Sequence, residues 1–458
     1  MIRKIRKAIS DPRSLGERAI NAGLWNVAST VAQHPLRLAS NLIMTRLLAP
    51  GDFALMATVF ALHMGLGLLS DVGIAQSVMR SPKGDTPRFL RVAWIVQIIR
   101  GLVLAGFLLI LGGLIWFLGP RYAAPDSVYA DPVMPWLVWA SALVFLLRGL
   151  QSTSVLLARR RLRLKRVAIA QFITQVVAIL VMISSALVLE NVWALLIGTL
   201  AGNVAMIVLS HGFIPGPRMR YAWDAVQARE MWRFGKWLIG ASLGGFLISH
   251  SDRLLFAALV DKTLFGVYAI ALLWTQVATQ LLQKVGSAIF VPSFAETLNK
   301  SPGRIHAVLT KAFFSYSVMT LSVGVLITVS SALIIYYLYD SRYSEAMYMV
   351  AILGFRIALQ RYLVFRQFIV ATGDSRYSAI VSLAGGGITL VSGTFVLIYV
   401  GFYWSLVVFS LGALPMLLGI VLHREVQKHI RAGRQVVFMV GTVIACVMVT
   451  MLIQQSLP

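Results

Sequence analysis

Long apolar runs alternate with short polar breaks along almost the whole chain. A bilayer crossing takes ~20 apolar residues in a helix. Such stretches fall near residues 20–45, 53–78, 89–118, 133–157, 167–189, 192–213, 233–260, 264–290, 307–338, 346–371, 377–400, 403–423 and 436–454. The pattern predicts an all-α polytopic membrane protein with about thirteen transmembrane helices and no room for a soluble domain. The longest inner connection, 214–232, carries Pro215, Gly216 and Pro217 and is the natural boundary. It separates an expected N-terminal lobe, 1–213 with spans one to six, from a C-terminal lobe, 233–423 with spans seven to twelve. Residues 424–458 then form a cytoplasmic loop and an extra span.

A sparse internal repeat fits that division. Shifting the second half by 212 positions sets Gly23 and Trp25 on Gly235 and Trp237, Leu42 on Leu254, Leu47 on Leu259, Phe53 on Phe265 and Ala57 on Ala269. Parallel repeats are a recurrent transporter plan, with substrate held between the halves near the membrane middle.

Composition agrees with the pattern: the chain is 58% hydrophobic and 13% charged, with mean hydropathy +0.80, where soluble chains are ~45–50% apolar and ~25% charged. Net charge +24 would point to nucleic acid in a soluble protein. Here its placement decides. With the N-terminus inside, twenty-nine of the 41 Lys and Arg fall in inner segments, including the run 159–166, and four (Arg46, Arg121, Lys262, Arg342) in outer ones. That is the positive-inside asymmetry. It argues against a nucleic-acid partner, places the N-terminus in the cytoplasm and, after thirteen spans, the C-terminus in the periplasm. The basic start lacks a small-residue cleavage pattern behind it, so the first span reads as retained. The one cysteine, Cys446, rules out an internal disulfide or a cysteine metal cluster.

Charge inside the spans is lopsided. Arg37, Arg100, Arg148, Arg253, Lys284, Arg356, Arg361 and Arg366 face only two acids, Asp71 and Asp252. A charge at mid-membrane costs at least ~2.5 kcal/mol, so such groups line wet cavities, pair with neighbours or snorkel to headgroups. At ~100° per residue along the expected helix, Arg356, Gln360, Leu363, Arg366 and Gln367 share an arc of ~120°, with Arg361 elsewhere. A surplus of buried positive charge asks for an anion, and phosphate suits guanidinium groups, which bind its oxygens bidentately. The candidate ligands for an anionic headgroup are Arg37, Arg148, Arg253, Lys284, Arg356 and Gln360. Asp71, Asp252 and His34 are candidates for structural or coupling roles, and His34-Pro35 introduces either a packing kink or a hinge in span one.

No catalytic motif survives scrutiny. Residues 240–244 match the G-x-S-x-G pattern but lie in an apolar run, where Gly240/Gly244, like Gly198/Gly202, suit close helix contacts. There is no phosphate loop, no H-E-x-x-H, and no implied metal or cofactor. The chain reads as a non-enzyme.

Residues 46–57 and 70–74, and again 251–255 and 265–269, resemble the polysaccharide transporter family of the multidrug/oligosaccharidyl-lipid/polysaccharide (MOP) exporter superfamily. The likeness runs from about residue 17 to 430 in length, span rhythm and motif order. It implies two six-helix lobes around a central cavity and alternating access. The implied cargo is an undecaprenyl-pyrophosphate-linked oligosaccharide, flipped across a bacterial inner membrane for exopolysaccharide, capsule or O-antigen synthesis. Asp252 and Arg253 fall on the family's recurring Asp-Arg position in span seven. The partners implied are the polyprenyl-pyrophosphate-linked glycan, membrane lipids and a polysaccharide polymerase or export machinery. A multidrug cation antiporter of the same superfamily, a flippase for another phospho-lipid precursor and a scaffold for a polysaccharide synthase are the alternatives; the antiporter would want acids where this chain places cations.

Overall fold

The computed structural model describes residues 15–69, 73–429 and 432–456; Asp71 lies outside them. Within those residues the chain is helical, and the one extended pairing is a single bridge between Ser127 and Asp261. Lipid leaves backbone groups no water to bond, so an apolar run of this length satisfies them within its own helix.

The helices are α1 (Leu15–Leu47), α2 (Pro50–Leu69), α3 (Ile74–Arg80), α4 (Pro87–Tyr122), α5 (Met134–Leu150), α6 (Ser154–Arg160), α7 (Lys165–Leu189), α8 (Trp193–Gly212) and α9 (Ala225–Leu259). They continue with α10 (Lys262–Lys300), α11 (Ile305–Leu338), α12 (Ala346–Ala358), α13 (Leu363–Ala371), α14 (Ser375–Tyr399), α15 (Phe402–Ser410), α16 (Leu414–Leu422), α17 (Arg424–Gln427) and α18 (Ala432–Ser456). Ten spans among the described residues are long and apolar enough to cross a bilayer, and the pair α5/α6, bent by 56° at its break, makes eleven. The other two of the thirteen expected spans are α1 and α9, of 33 and 35 residues. Both are diluted by polar groups: Gln33, His34 and Arg37 in one, His250, Asp252 and Arg253 in the other.

The chain forms two compact units. The first comprises residues 1–52, 70–125 and 129–239; the second comprises 53–69, 126–128 and 240–458. In the first, α4 pairs with α5, α7 with α8, and α1 packs on α7. Gly198 and Gly202 make the α7/α8 approach possible, since a Cβ at Gly198 would come within 2.4 Å of Met182 and one at Gly202 within 2.9 Å of Ala178. The core around Phe89, Leu90 and Val92 also takes in Ile74, Val78, Leu157 and Met231.

In the second unit α12 is the central element, with Met349, Val350, Ile352 and Leu353 fully buried. Against it pack α10, α11, α15 and α18. Gly244 of α9 lies against α14, where a Cβ would sit 2.6 Å from the Leu383 amide nitrogen. The thirteenth span, α18, packs on α12, α15 and α16 and buries the chain's one cysteine, Cys446. Between α12 and α13 the span tightens into a 3₁₀ turn, Leu359–Tyr362. The single arc expected for residues 354–367 is therefore interrupted: at ~120° per residue in the 3₁₀ turn instead of ~100°, α13 is out of phase with α12.

Candidate functional site

The second unit places polar side chains around the middle of α9. Ser251, Asp252 and Arg253 are 2%, 1% and 8% exposed, so each needs partners. Asp252 Oδ2 accepts the Tyr268 hydroxyl of α10 at 2.5 Å and lies 3.5 Å from Arg356 Nη1 of α12. Its Oδ1 accepts the Arg253 backbone N–H at 2.9 Å. Arg356 Nη2 also donates to the carbonyls of Ile248 and Ser249, at 3.2 and 3.3 Å. Asp252 and Arg356 thus join three helices.

Arg253 turns to a different partner. Its Nη1 donates to His250 Nδ1 at 2.6 Å, one helical turn back on the same face, which sets the imidazole proton on Nε2. His250 stacks on Phe246 at 5.4 Å. Phe246 in turn fills the space left by Gly65 of α2, where a Cβ would approach its ring to 2.8 Å. The cluster holds one acid, Asp252, and two guanidinium groups, of which only that of Arg356 pairs with it, so with a neutral imidazole it is net positive. Phe256, Phe265 and Phe402 close the side beyond Tyr268, with ring centroids 5.1 to 6.3 Å from it.

The tight turn after α12 carries Gln360 and Arg361 in different directions. Gln360 Oε1 accepts from Gln283 Nε2 of α10 at 3.1 Å, and Lys284, the next residue of α10, is exposed. Arg361 is 4% exposed. Its Nη2 donates to the Tyr362 hydroxyl at 2.7 Å, and its guanidinium lies over the rings of Tyr362 and Phe438 of α18. Tyr362 passes the contact on by donating to the Gln435 carbonyl at 3.3 Å.

In the first unit Arg37 is exposed and His34 half-buried on α1. Arg148, at the end of α5, is exposed and near enough to Arg100 of α4 for the two charges to repel. The break after it is held by side chains. Gln97 Nε2 donates to the carbonyls of Arg148, Gly149 and Gln151 at 2.9 to 3.1 Å, while Trp94 Nε1 and His211 Nε2 reach the Leu150 carbonyl at 3.2 and 3.0 Å. The carbonyls of Gly149, Leu150 and Gln151, freed by the bend, are thereby satisfied, and that of Arg148 also accepts the Gln151 N–H at 3.3 Å.

The residues singled out by charge therefore fall into three places: Asp252, Arg253 and Arg356 in one cluster, Gln360 with Lys284 beside Gln283, and Arg37, His34 and Arg148 in the first unit. Charge counting had passed over Tyr268, His250 and Gln283. His250 was legible as the residue three before Arg253, and Gln283 as an amide inside an apolar run.

The sequence profile of the family described as "Polysaccharide biosynthesis protein" matches residues 43–348. The succinoglycan biosynthesis transport protein ExoT of Rhizobium meliloti (strain 1021) is 20% identical over 288 residues, 62% of this chain and 55% of that protein. The chain thus spans about half the length of this curated relative. Among solved structures, the lipid II flippase MurJ in an inward closed conformation superposes with TM-score 0.66 at 12% identity, covering 94% of this chain and 92% of that one. An inward-facing multidrug resistance MATE family transporter of the MOP superfamily gives TM-score 0.63 at 12% identity, covering 85% and 93%. The profile spans well over half of the sequence, and this multi-pass membrane chain belongs to the polysaccharide biosynthesis protein family, built on the all-helical fold of MOP-superfamily transporters.

Proposed function

We propose that the protein moves a polyprenyl-pyrophosphate-linked oligosaccharide across a bacterial inner membrane, from the cytoplasmic to the periplasmic leaflet, for exopolysaccharide, capsule or O-antigen synthesis. The observation that carries this reading is the disposition of charge around α9. Asp252 is occupied by Arg356 and Tyr268, so the positive charge of Arg253, held by a neutral imidazole, is left to balance an anion. A pyrophosphate supplies that anion and takes charge-assisted hydrogen bonds worth ~1.5–3 kcal/mol each. Arg37, Arg148, Lys284 and Gln360 are the further groups assigned to the headgroup, and His34, Asp71 and Asp252 to structure or coupling. The N-terminus is assigned to the cytoplasm and the C-terminus to the periplasm, because basic residues concentrate in the corresponding inner loops. A drug-cation antiporter would need a free carboxylate at this site, and Asp252 is not free.

The test is complementation of a flippase-deficient strain, normalised to the amount of inserted protein. Arg253→Ala and Arg253→Gln abolish surface polysaccharide while the protein accumulates normally; Arg253→Lys retains part of it. Full export by both neutral variants would remove the anion-binding premise.

A further inference from the structure

We infer that three glutamines on one face of α10, meeting the headgroup residue Gln360 at one end, form a carbohydrate-reading strip distinct from the Arg253 site on α9. The inference rests on the transport reading above and names the part of the substrate that this surface meets.

Gln276, Gln280 and Gln283 are spaced i, i+4, i+7, which at ~100° per residue sets them within an arc of ~60° and along ~10 Å of the helix. Gln280 and Gln283 are exposed and Gln276 is half-buried, although α10 is a membrane span. Three other exposed side chains of the same stretch behave differently. Leu281, Val285 and Ile289, at 37%, 44% and 52% exposure, lie roughly on the opposite side of the helix and are apolar. One outward face of α10 therefore suits lipid, whereas the other carries primary amides that lipid cannot solvate. Polar side chains on a spanning helix belong on a water-filled path.

Amide chemistry selects the guest. Each glutamine offers two N–H donors and a carbonyl acceptor, the combination that a sugar hydroxyl, itself donor and acceptor, can answer in either direction. Phosphate oxygens accept only and are held best by cations. The bond from Gln283 Nε2 to Gln360 Oε1, 3.1 Å long, fixes two of these amides against each other. It leaves the Gln283 carbonyl and the Gln360 amino group available, one acceptor and one donor side by side. Its Gln360 end lies in the 3₁₀ turn, so the break in the span holds one amide of the strip in place. The amides of the strip carry no charge; the cation beside them on α10 is Lys284, assigned to the headgroup, and Arg253 lies on α9.

Binding of two probes to the purified full-length protein in lipid nanodiscs tests this: undecaprenyl pyrophosphate, and the undecaprenyl-pyrophosphate-linked oligosaccharide extracted from the membranes of the source cells. The double variant Gln276→Leu/Gln280→Leu, which leaves the Gln283–Gln360 bond in place, binds the glycosylated probe roughly tenfold more weakly and the bare lipid unchanged, as expected for two lost hydrogen bonds. Gln276→Asn/Gln280→Asn recovers part of the loss. Arg253→Gln weakens both probes. An equal effect of the leucine variant on both probes, or none on the glycosylated one, overturns the carbohydrate strip and leaves the transport reading standing. Failure of the wild-type protein to bind either probe overturns both. Thermal unfolding of each variant in the same nanodiscs separates a binding defect from a folding defect.

Discussion

The guanidinium carbon of Arg361 lies 4.9 Å from the centre of the Phe438 ring. The two residues come from the break in the tenth span and from the thirteenth span, so this contact, with the Tyr362–Gln435 bond, ties the extra helix into the second unit. An intramembrane arginine can thus be a fastening.

Replacing Arg361 by Leu removes a hydrogen bond and the contacts of a buried guanidinium with the buried Tyr362 ring and the outward-facing Phe438 ring; a desolvated cation–π contact alone is worth about 2 kcal/mol. The detergent-solubilised protein should melt several degrees lower, and export per folded molecule should stay near wild type. Phe438→Ala should act in the same direction. An unchanged melting midpoint for both would detach α18 from this role.

Asp252 and Arg356 should behave as a coupled pair. Removing either partner alone leaves a buried charge behind, at a cost of ~3–5 kcal/mol. In a cycle of Asp252→Ala, Arg356→Ala and the double variant, measured by thermal unfolding, the double loss should be clearly smaller than the sum. Strict additivity would mean that the 3.5 Å contact carries no energy.

Gly354 of α12 faces α11 so closely that a Cβ would lie 2.1 Å from Thr328 Oγ1 and 3.1 Å from the Gly324 carbonyl. Gly354→Ala should destabilise by about 1–3 kcal/mol through overpacking. Adding Thr328→Ala should recover part of this, because it removes the nearer clash. If the second substitution gives no recovery, the helices are not held apart by the threonine.

Asp374, just before α14, has its carboxyl held below the usual carboxylate range, first by the Tyr377 backbone N–H and then by His423 at 3.3 Å, with Arg376 adding to the effect. A depressed acid contributes stability above its unfolded-state value of ~3.9, and the contribution disappears as pH falls through the lower folded-state value. The wild-type protein should therefore melt above Asp374→Asn near neutral pH, and the gap should close under acid. A gap that persists unchanged into acid would assign the effect to packing.

The spans were legible because the bilayer imposes a length and a hydropathy that few other structures require. Ten of the thirteen expected spans, or eleven with the bent pair, meet that demand among the described residues, whereas α1 and α9, diluted by polar residues, do not. The break at Leu359–Tyr362 was not legible: the segment contains no glycine or proline, and its two polar residues are drawn apart by α10 and α18, which are distant in sequence. Charge counting drew attention to Asp252, Arg253 and Arg356 but could not pair them, since the partners are separated by 104 residues. Neighbours on a helix diverge by ~100°, and the Asp252 carboxylate takes only the backbone N–H of Arg253 while the guanidinium goes to His250. Gln276 and Gln280 escaped because amides add nothing to a charge inventory.

Cys446 sits fully enclosed on α18, and the sequence holds no second thiol. This chain is therefore already a quiet background for spectroscopic labelling. Cysteines introduced at exposed positions of either unit would be the ones that react, so distances between labels could test the proposed transport without first stripping thiols from the core.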